Sequence, residues 1–240
     1  MSIVYYPDEQ YKKSKHVVEQ TMAKSQILSF TGGGDLTSNA LSVVHSYPGD
    51  WIIKCIEIYF SSSSNKTYSV SKLTGRQIVT GANDRLYFNG TVSEKIVLPS
   101  GFYTGATLAA ALKTAMDSTT AFSAAGMTPF TVAYTNGVFT ITPNAGNIGF
   151  DVYNSGVVGG KNSTGGHVFG FTADKTPAAS ISGVAVPGLG TLTSIIAASS
   201  VATQNVIATD SIFMDVDDAI QVDFSSVSMT GQYKILYSPA

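Results

Sequence analysis

Ser155-Gly156-Val157-Val158-Gly159-Gly160-Lys161-Asn162 has the outline of a phosphate-binding loop, where backbone N–H groups cradle phosphates and a lysine reaches the outermost one. Two positions break the pattern. Ser155 stands where the loop needs its first glycine, and Asn162 replaces the Ser or Thr that would hold magnesium. Gly188-Leu189-Gly190-Thr191-Leu192-Thr193 opens like a dinucleotide fingerprint, but it ends in Thr and no convincing strand precedes it. Both segments are expected to be loops.

Metal and nucleophile chemistry find little support. His16, His45 and His167 are far apart in sequence, and none stands one helical turn from a carboxylate at i, i+4 spacing. Asp215-Val216-Asp217-Asp218 offers oxygens of the kind that bind calcium, yet it lacks the calcium-loop glycine and the closing Glu. A polar turn between two strands is expected there. No Gly-x-Ser-x-Gly elbow presents a serine nucleophile. Of the later glutamates, Glu19, Glu57 and Glu94, none sits in an aromatic-rich loop as a glycoside-cleaving pair would. Cys55 is the single cysteine, so an intrachain disulfide is excluded; within Trp51-Ile52-Ile53-Lys54-Cys55-Ile56 it reads as a buried, inert thiol. Asn65-Lys66-Thr67, Asn89-Gly90-Thr91 and Asn162-Ser163-Thr164 match the glycosylation pattern and are expected as solvent loops. The residues therefore assign no catalytic, cofactor-binding or metal site, and no enzymatic activity.

The elements that would carry such groups are mostly strands. Gln26–Phe30, Ala40–Ser46 and above all Trp51–Phe60 are rich in β-branched and aromatic residues. The last is apolar on both faces, as a central strand should be, and a polar loop is expected at Ser61–Asn65. Asp84–Asn89 and Ser93–Leu98 alternate as two strands joined by Gly90. Thr104 then suits a helix N-cap, with Leu108, Ala111, Leu112, Ala115 and Met116 forming an apolar face. Phe130–Tyr134 and Val138–Thr142 flank Asn136-Gly137, a pair whose residues tolerate the positive φ of a tight hairpin. Residues 144–205 read as loop-rich, with a short strand at Phe150–Tyr153. Ile212–Val216, Ala219–Phe224 and Gln232–Tyr237 close the chain as strands.

At the start, Pro7, Asp8 and Glu9 suit the first turn of a helix over 8–24, whose thin stripe of Tyr11, Val18 and Met22 fits a docking arm better than a core helix. No apolar leader with a small-residue cleavage site is apparent, and no run of about 18 apolar residues would span a membrane. Charged residues are only 12% of the chain and the net charge is −2, which removes both a nucleic-acid footprint and much of the self-repulsion that opposes association. Lys and Arg concentrate before residue 96, whereas Asp210, Asp215, Asp217, Asp218 and Asp223 crowd the end. Solvated turn and edge residues explain that split more simply than head-to-tail pairing of copies does.

The middle third resembles a segment of virion structural proteins, the capsid and vertex (penton) proteins of icosahedral double-stranded DNA viruses such as large algal viruses and virophages. The resemblance rests on Asn83-Asp84-Arg85-Leu86-Tyr87-Phe88, then Ile96-Val97-Leu98-Pro99-Ser100-Gly101-Phe102-Tyr103-Thr104, then Leu108-Ala109-Ala110-Ala111-Leu112. It continues through the Asn136-Gly137 hairpin to Val168-Phe169-Gly170-Phe171, with Phe169 where Leu is commoner. It spans residues 83–172, and similar strings occur in phage tail and fibre proteins.

The fold expected is mainly β: a single jelly-roll-like antiparallel sandwich over 26–240, with one internal helix and an N-terminal helical arm over 1–25. The resemblance implies a vertex or minor capsid component located in the virion. It also implies homo-oligomers (pentamers at a vertex) and contacts with neighbouring major and minor capsid proteins. The residues themselves lead to the expectation of no cofactor, no nucleic acid and no transmembrane segment. A tail or fibre receptor-binding module is the alternative, and a carbohydrate-active sandwich enzyme a third reading.

Overall fold

The structure is a computed structural model that describes residues 24–31, 41–46, 50–152, 163–208, 212–224 and 230–239. The expected arm helix over 8–24 lies outside the described residues, except that Lys24 opens the first strand. In chain order the first strands are β1 (Lys24–Thr31), β2 (Leu41–Ser46), β3 (Trp51–Thr74), β4 (Arg76–Ile78), β5 (Arg85–Gly90), β6 (Glu94–Val97) and β7 (Gly101–Tyr103). Helices α1 (Gly105–Asp117) and α2 (Thr120–Ala124) follow, then β8 (Thr131–Thr135), β9 (Val138–Thr142) and β10 (Ile148–Asp151). A 3-10 turn at Gly166–Phe169 precedes β11 (Lys175–Ala178), β12 (Ile181–Ser182) and β13 (Leu192–Ala208). The last strands are β14 (Ile212–Met214), β15 (Asp218–Phe224) and β16 (Thr230–Pro239). The chain is mainly β, with several antiparallel sheets and, among the described residues, two α-helices.

Two compact units emerge. One draws on Met1–Ser71, Ser194–Val216 and Gln221–Ala240, the other on Lys72–Thr193 and Asp217–Ile220. The first is built on a seven-stranded sheet ordered β1-β16-β3-β15-β2, with β13 and β14 also pairing with β3. As its two-sided apolar character predicts, β3 has neighbours on both sides, and Trp51, Ile53 and Ile56 are buried. Trp51 meets Tyr237 of β16 edge to face at 5.4 Å.

Two loop expectations are corrected here. Ser61–Asn65 continues β3 instead of leaving the sheet. Leu192–Ala208, within the stretch read as loop-rich, is a strand of 17 residues. Ser, Ala and Asn carry weak β propensity, but a strand's stability comes mainly from cross-strand neighbours, and here the ladder partners decide. One such partner is visible at Ser61, which faces Thr230 of β16.

The second unit has a single apolar core. Leu86 and Phe88 from β5, Ile148 and Phe150 from β10, Phe139 and Ile141 from β9, and Leu108, Leu112 and Met116 from α1 all belong to it. Each is essentially withdrawn from water, worth about 1.5–3 kcal/mol per side chain. Aromatic rings lock the strands together: Phe88 meets Phe150 edge-on at 5.3 Å, Phe150 stacks on Phe171 at 4.3 Å, and Phe139 meets Phe169 at 4.9 Å. The sheets are β11-β10-β5-β6, β12-β9-β8 and the pair β4-β7.

Local chemistry sets the connections. Thr104 caps α1: its hydroxyl accepts the Thr107 N–H at 3.3 Å, and the Thr104 N–H donates to the Thr107 hydroxyl at 2.8 Å. At the other end, Asp117 accepts the Phe130 N–H at 2.7 Å, fixing where β8 begins. The hairpin turns on Asn136 and Gly137, with φ of 53° and 81°, the paired positive values of a tight two-residue turn. The short helix α2, which burial of Phe122 anchors, is additional to the one internal helix expected.

Candidate interaction surface

The residues singled out for chemistry are dispersed or already engaged. The phosphate-loop look-alike at Ser155–Asn162 and His16 lie outside the described residues. Gly188–Thr193 is a turn running into β13, with no helix after it to bind a dinucleotide; Gly190 N–H donates to Thr74 O at 2.7 Å and Thr74 N–H to Thr191 O at 3.0 Å. His45 is in β2, Cys55 in β3 opposite Leu236, and His167 is exposed on the 3-10 turn. Among the described residues, no group of three His, Cys, Asp or Glu side chains could hold a metal ion.

The acidic run forms the polar turn expected between β14 and β15. Its carboxylates act within the chain. Asp218, 7% exposed at its side chain, accepts Lys72 Nζ at 2.7 Å and the Thr74 hydroxyl at 3.3 Å. Asp217 pairs with Arg76 and accepts the Gln77 N–H at 2.9 Å, while its carbonyl accepts the Gly75 N–H at 2.8 Å. Lys72 and Arg76, two of the cations before residue 96, are thus paired within the chain.

Two of the three glycosylation matches depart from the solvent loops expected. Asn65 lies in β3. Asn89 is half-buried in β5, where its Nδ2 donates to Asp151 on the neighbouring β10. Asn162 lies outside the described residues. Burial, and secondly the Asp174 carboxylate, hold the Asp151 carboxyl above the ordinary 3.8, while the Asn89 bond pulls it back. Asp174 itself accepts the Val152 N–H at 2.7 Å. This cluster ties β10 to β5 and to the turn before β11.

What sequence reasoning missed is a side of the second unit without charge. No Asp, Glu, Lys, Arg or His occurs from Ser118 to Phe150 or from Thr176 to Thr209. The first stretch contains β8 and β9, and the second contains β12 and the 183–193 segment. Alternation turns Val132, Tyr134, Phe139, Ile141 and Ile181 inward and Thr131, Thr135, Thr140, Thr142 and Ser182 outward. The outward hydroxyls bond to one another: Thr140 to Ser182 at 2.9 Å and Thr142 to Ser180 at 2.8 Å. Within the second uncharged stretch Val184 and Leu192 are about half exposed, at 51% and 49%. Val186 is pinned to the hairpin, its N–H on Gly137 O and its carbonyl accepting the Tyr134 hydroxyl, both at 2.7 Å. Charges sit instead on the β11-β10-β5-β6 sheet, at Arg85, Glu94, Lys95, Asp151 and Lys175. The hydroxyls, two pairs of them bonded to each other, and the half-exposed aliphatics carry no ionisable group. Such a side loses little on giving up water, which suits packing against another surface.

No protein-family model matches the chain, and no curated protein or solved structure matches it either.

Proposed function

We propose that this chain is a non-enzymatic structural protein of an icosahedral double-stranded DNA virus particle, a vertex (penton) or minor capsid component. In this reading it self-assembles, contacts neighbouring capsid proteins and resides in the virion. The reading takes its two core-lining sheets, β11-β10-β5-β6 and β12-β9-β8, as layers of a jelly-roll-like sandwich.

The observation that carries the proposal is the coincidence of two features in one unit. The segment resembling virion proteins, residues 83–172, supplies most of the second unit's core. The same unit turns an uncharged hydroxyl-and-aliphatic side outward. Subunit contacts in a shell need such a side, because a charge buried without its partner is costly.

The test is the mass of the purified full chain by light scattering across a concentration series, alone and with capsid proteins of the parent particle. Pentamers, or association with those proteins, are expected. A strict monomer at every concentration that ignores the capsid proteins would remove the reading. A trimer with glycan affinity would replace it with a fibre receptor-binding module.

A further inference from the structure

The chain contains Asn-Gly at two described places, and the fold treats them oppositely. Asn89-Gly90 lies in β5, with the Asn89 carboxamide donating to Asp151 and its Oδ1 pressed against β10; a Cβ added at Gly149 would lie 2.1 Å from that oxygen. Asn136-Gly137 is the tip of the β8–β9 hairpin. There the Asn136 side chain is exposed and bonds to nothing among the described residues. The Gly137 carbonyl is held by Val186, but the Gly137 N–H, in the middle of the turn, is bonded to nothing among the described residues.

We infer that Asn136 is a site of spontaneous deamidation which places a charge at the rim of the uncharged side. The Gly137 amide nitrogen attacks Cγ of Asn136, forming a C–N bond. The bond from Cγ to Nδ2 breaks, and Nδ2 leaves as ammonia, carrying the proton lost by the Gly137 nitrogen. Water then opens the resulting imide at either of its two C–N bonds, giving aspartate or isoaspartate. No oxidant, enzyme or cofactor is required. Glycine at 137 matters because it has no side chain to hinder the approach of its nitrogen. At Asn89 the same attack must first break the bond to Asp151 and move the carboxamide off β10.

Either product brings a carboxylate to a rim whose two neighbouring stretches carry no charge. Isoaspartate also inserts a main-chain carbon into a two-residue turn that has no room for it. The effect on association rests on the assembly reading above, whereas the conversion itself does not. A contact closing over the hairpin tip would then have to bury an unpaired carboxylate, so modified subunits associate less well.

The experiment ages the folded full chain at mildly alkaline pH and maps Asn, Asp and isoAsp at both sites by peptide mass spectrometry. Asn136 is expected to convert at least about tenfold faster than Asn89, since one charge-assisted hydrogen bond is worth about that factor. In denaturant the two rates should converge. An Asn136 that stays intact in the fold, or an Asn89 that keeps pace with it, overturns the conversion. Light scattering of Asn136→Asp tests the consequence. Weaker association than wild type supports it, and unchanged association overturns it. A wild-type chain that never associates removes the assembly reading and the consequence together, and leaves the mapped conversion standing.

Discussion

Asp151 shows how a single carboxyl can set a pH dependence. Its folded form holds the proton more tightly than an unfolded chain would, because burial and Asp174 both oppose ionisation. The stability it contributes is therefore fully present below the ordinary value of 3.8 and is lost as pH rises through the higher folded value. Asp151→Asn keeps an acceptor for Asn89 and removes the titration. Thermal unfolding should find the variant gaining on wild type as pH rises from 3.8 through the higher folded value, the gain levelling off above it. A constant difference across that range would contradict it. Gly149→Ala is expected to cost about 1–3 kcal/mol in urea unfolding, since its Cβ would meet Asn89 Oδ1 at 2.1 Å and the Lys175 carbonyl at 2.6 Å. Neither role was legible from the sequence. Asn89-Gly90-Thr91 looks like a solvent loop because a three-residue motif carries no trace of the Asp151 that lies 62 positions away.

Elements whose signals are local were read well. Asn136-Gly137 dictates its own turn, and Thr104 with Thr107 dictates the start of α1 whatever packs against the helix. Thr104→Ala should accordingly cost about 1 kcal/mol, read as a lowered urea midpoint with an unchanged slope, and Thr104→Ser should restore most of it. Elements that depend on partners were misread: β13 mixes apolar residues with Ser, Thr and Asn, and β3 runs through Ser61–Asn65, and these become strand because other strands lie beside them. The turn before β15 is intermediate. Its polarity was plain, but its grip on Lys72, Thr74, Arg76 and Gln77 was not. Asp217→Ala, which orphans both Arg76 and the Gln77 N–H, should destabilise by about 1–3 kcal/mol. Added salt should recover little of that loss, because Arg76 and Asp217 are each less than a third exposed.

At the scale of the molecule, composition announced a β protein with few charges but not where the charges would be missing. The two uncharged stretches are far apart in sequence, and strand pairing, β12 with β9 and β10 with β11, brings them together. The division into two units was equally hidden. It falls between Ser71 and Lys72, inside β3, where no Pro, Gly or Ser-rich linker marks it. The hydroxyl-and-aliphatic side has a further physical corollary. Ionic screening acts on charges, and between Ser118 and Phe150 or Thr176 and Thr209 there are none to screen. A contact made through that side would lose little to ionic screening and would loosen in the cold, as apolar contacts do.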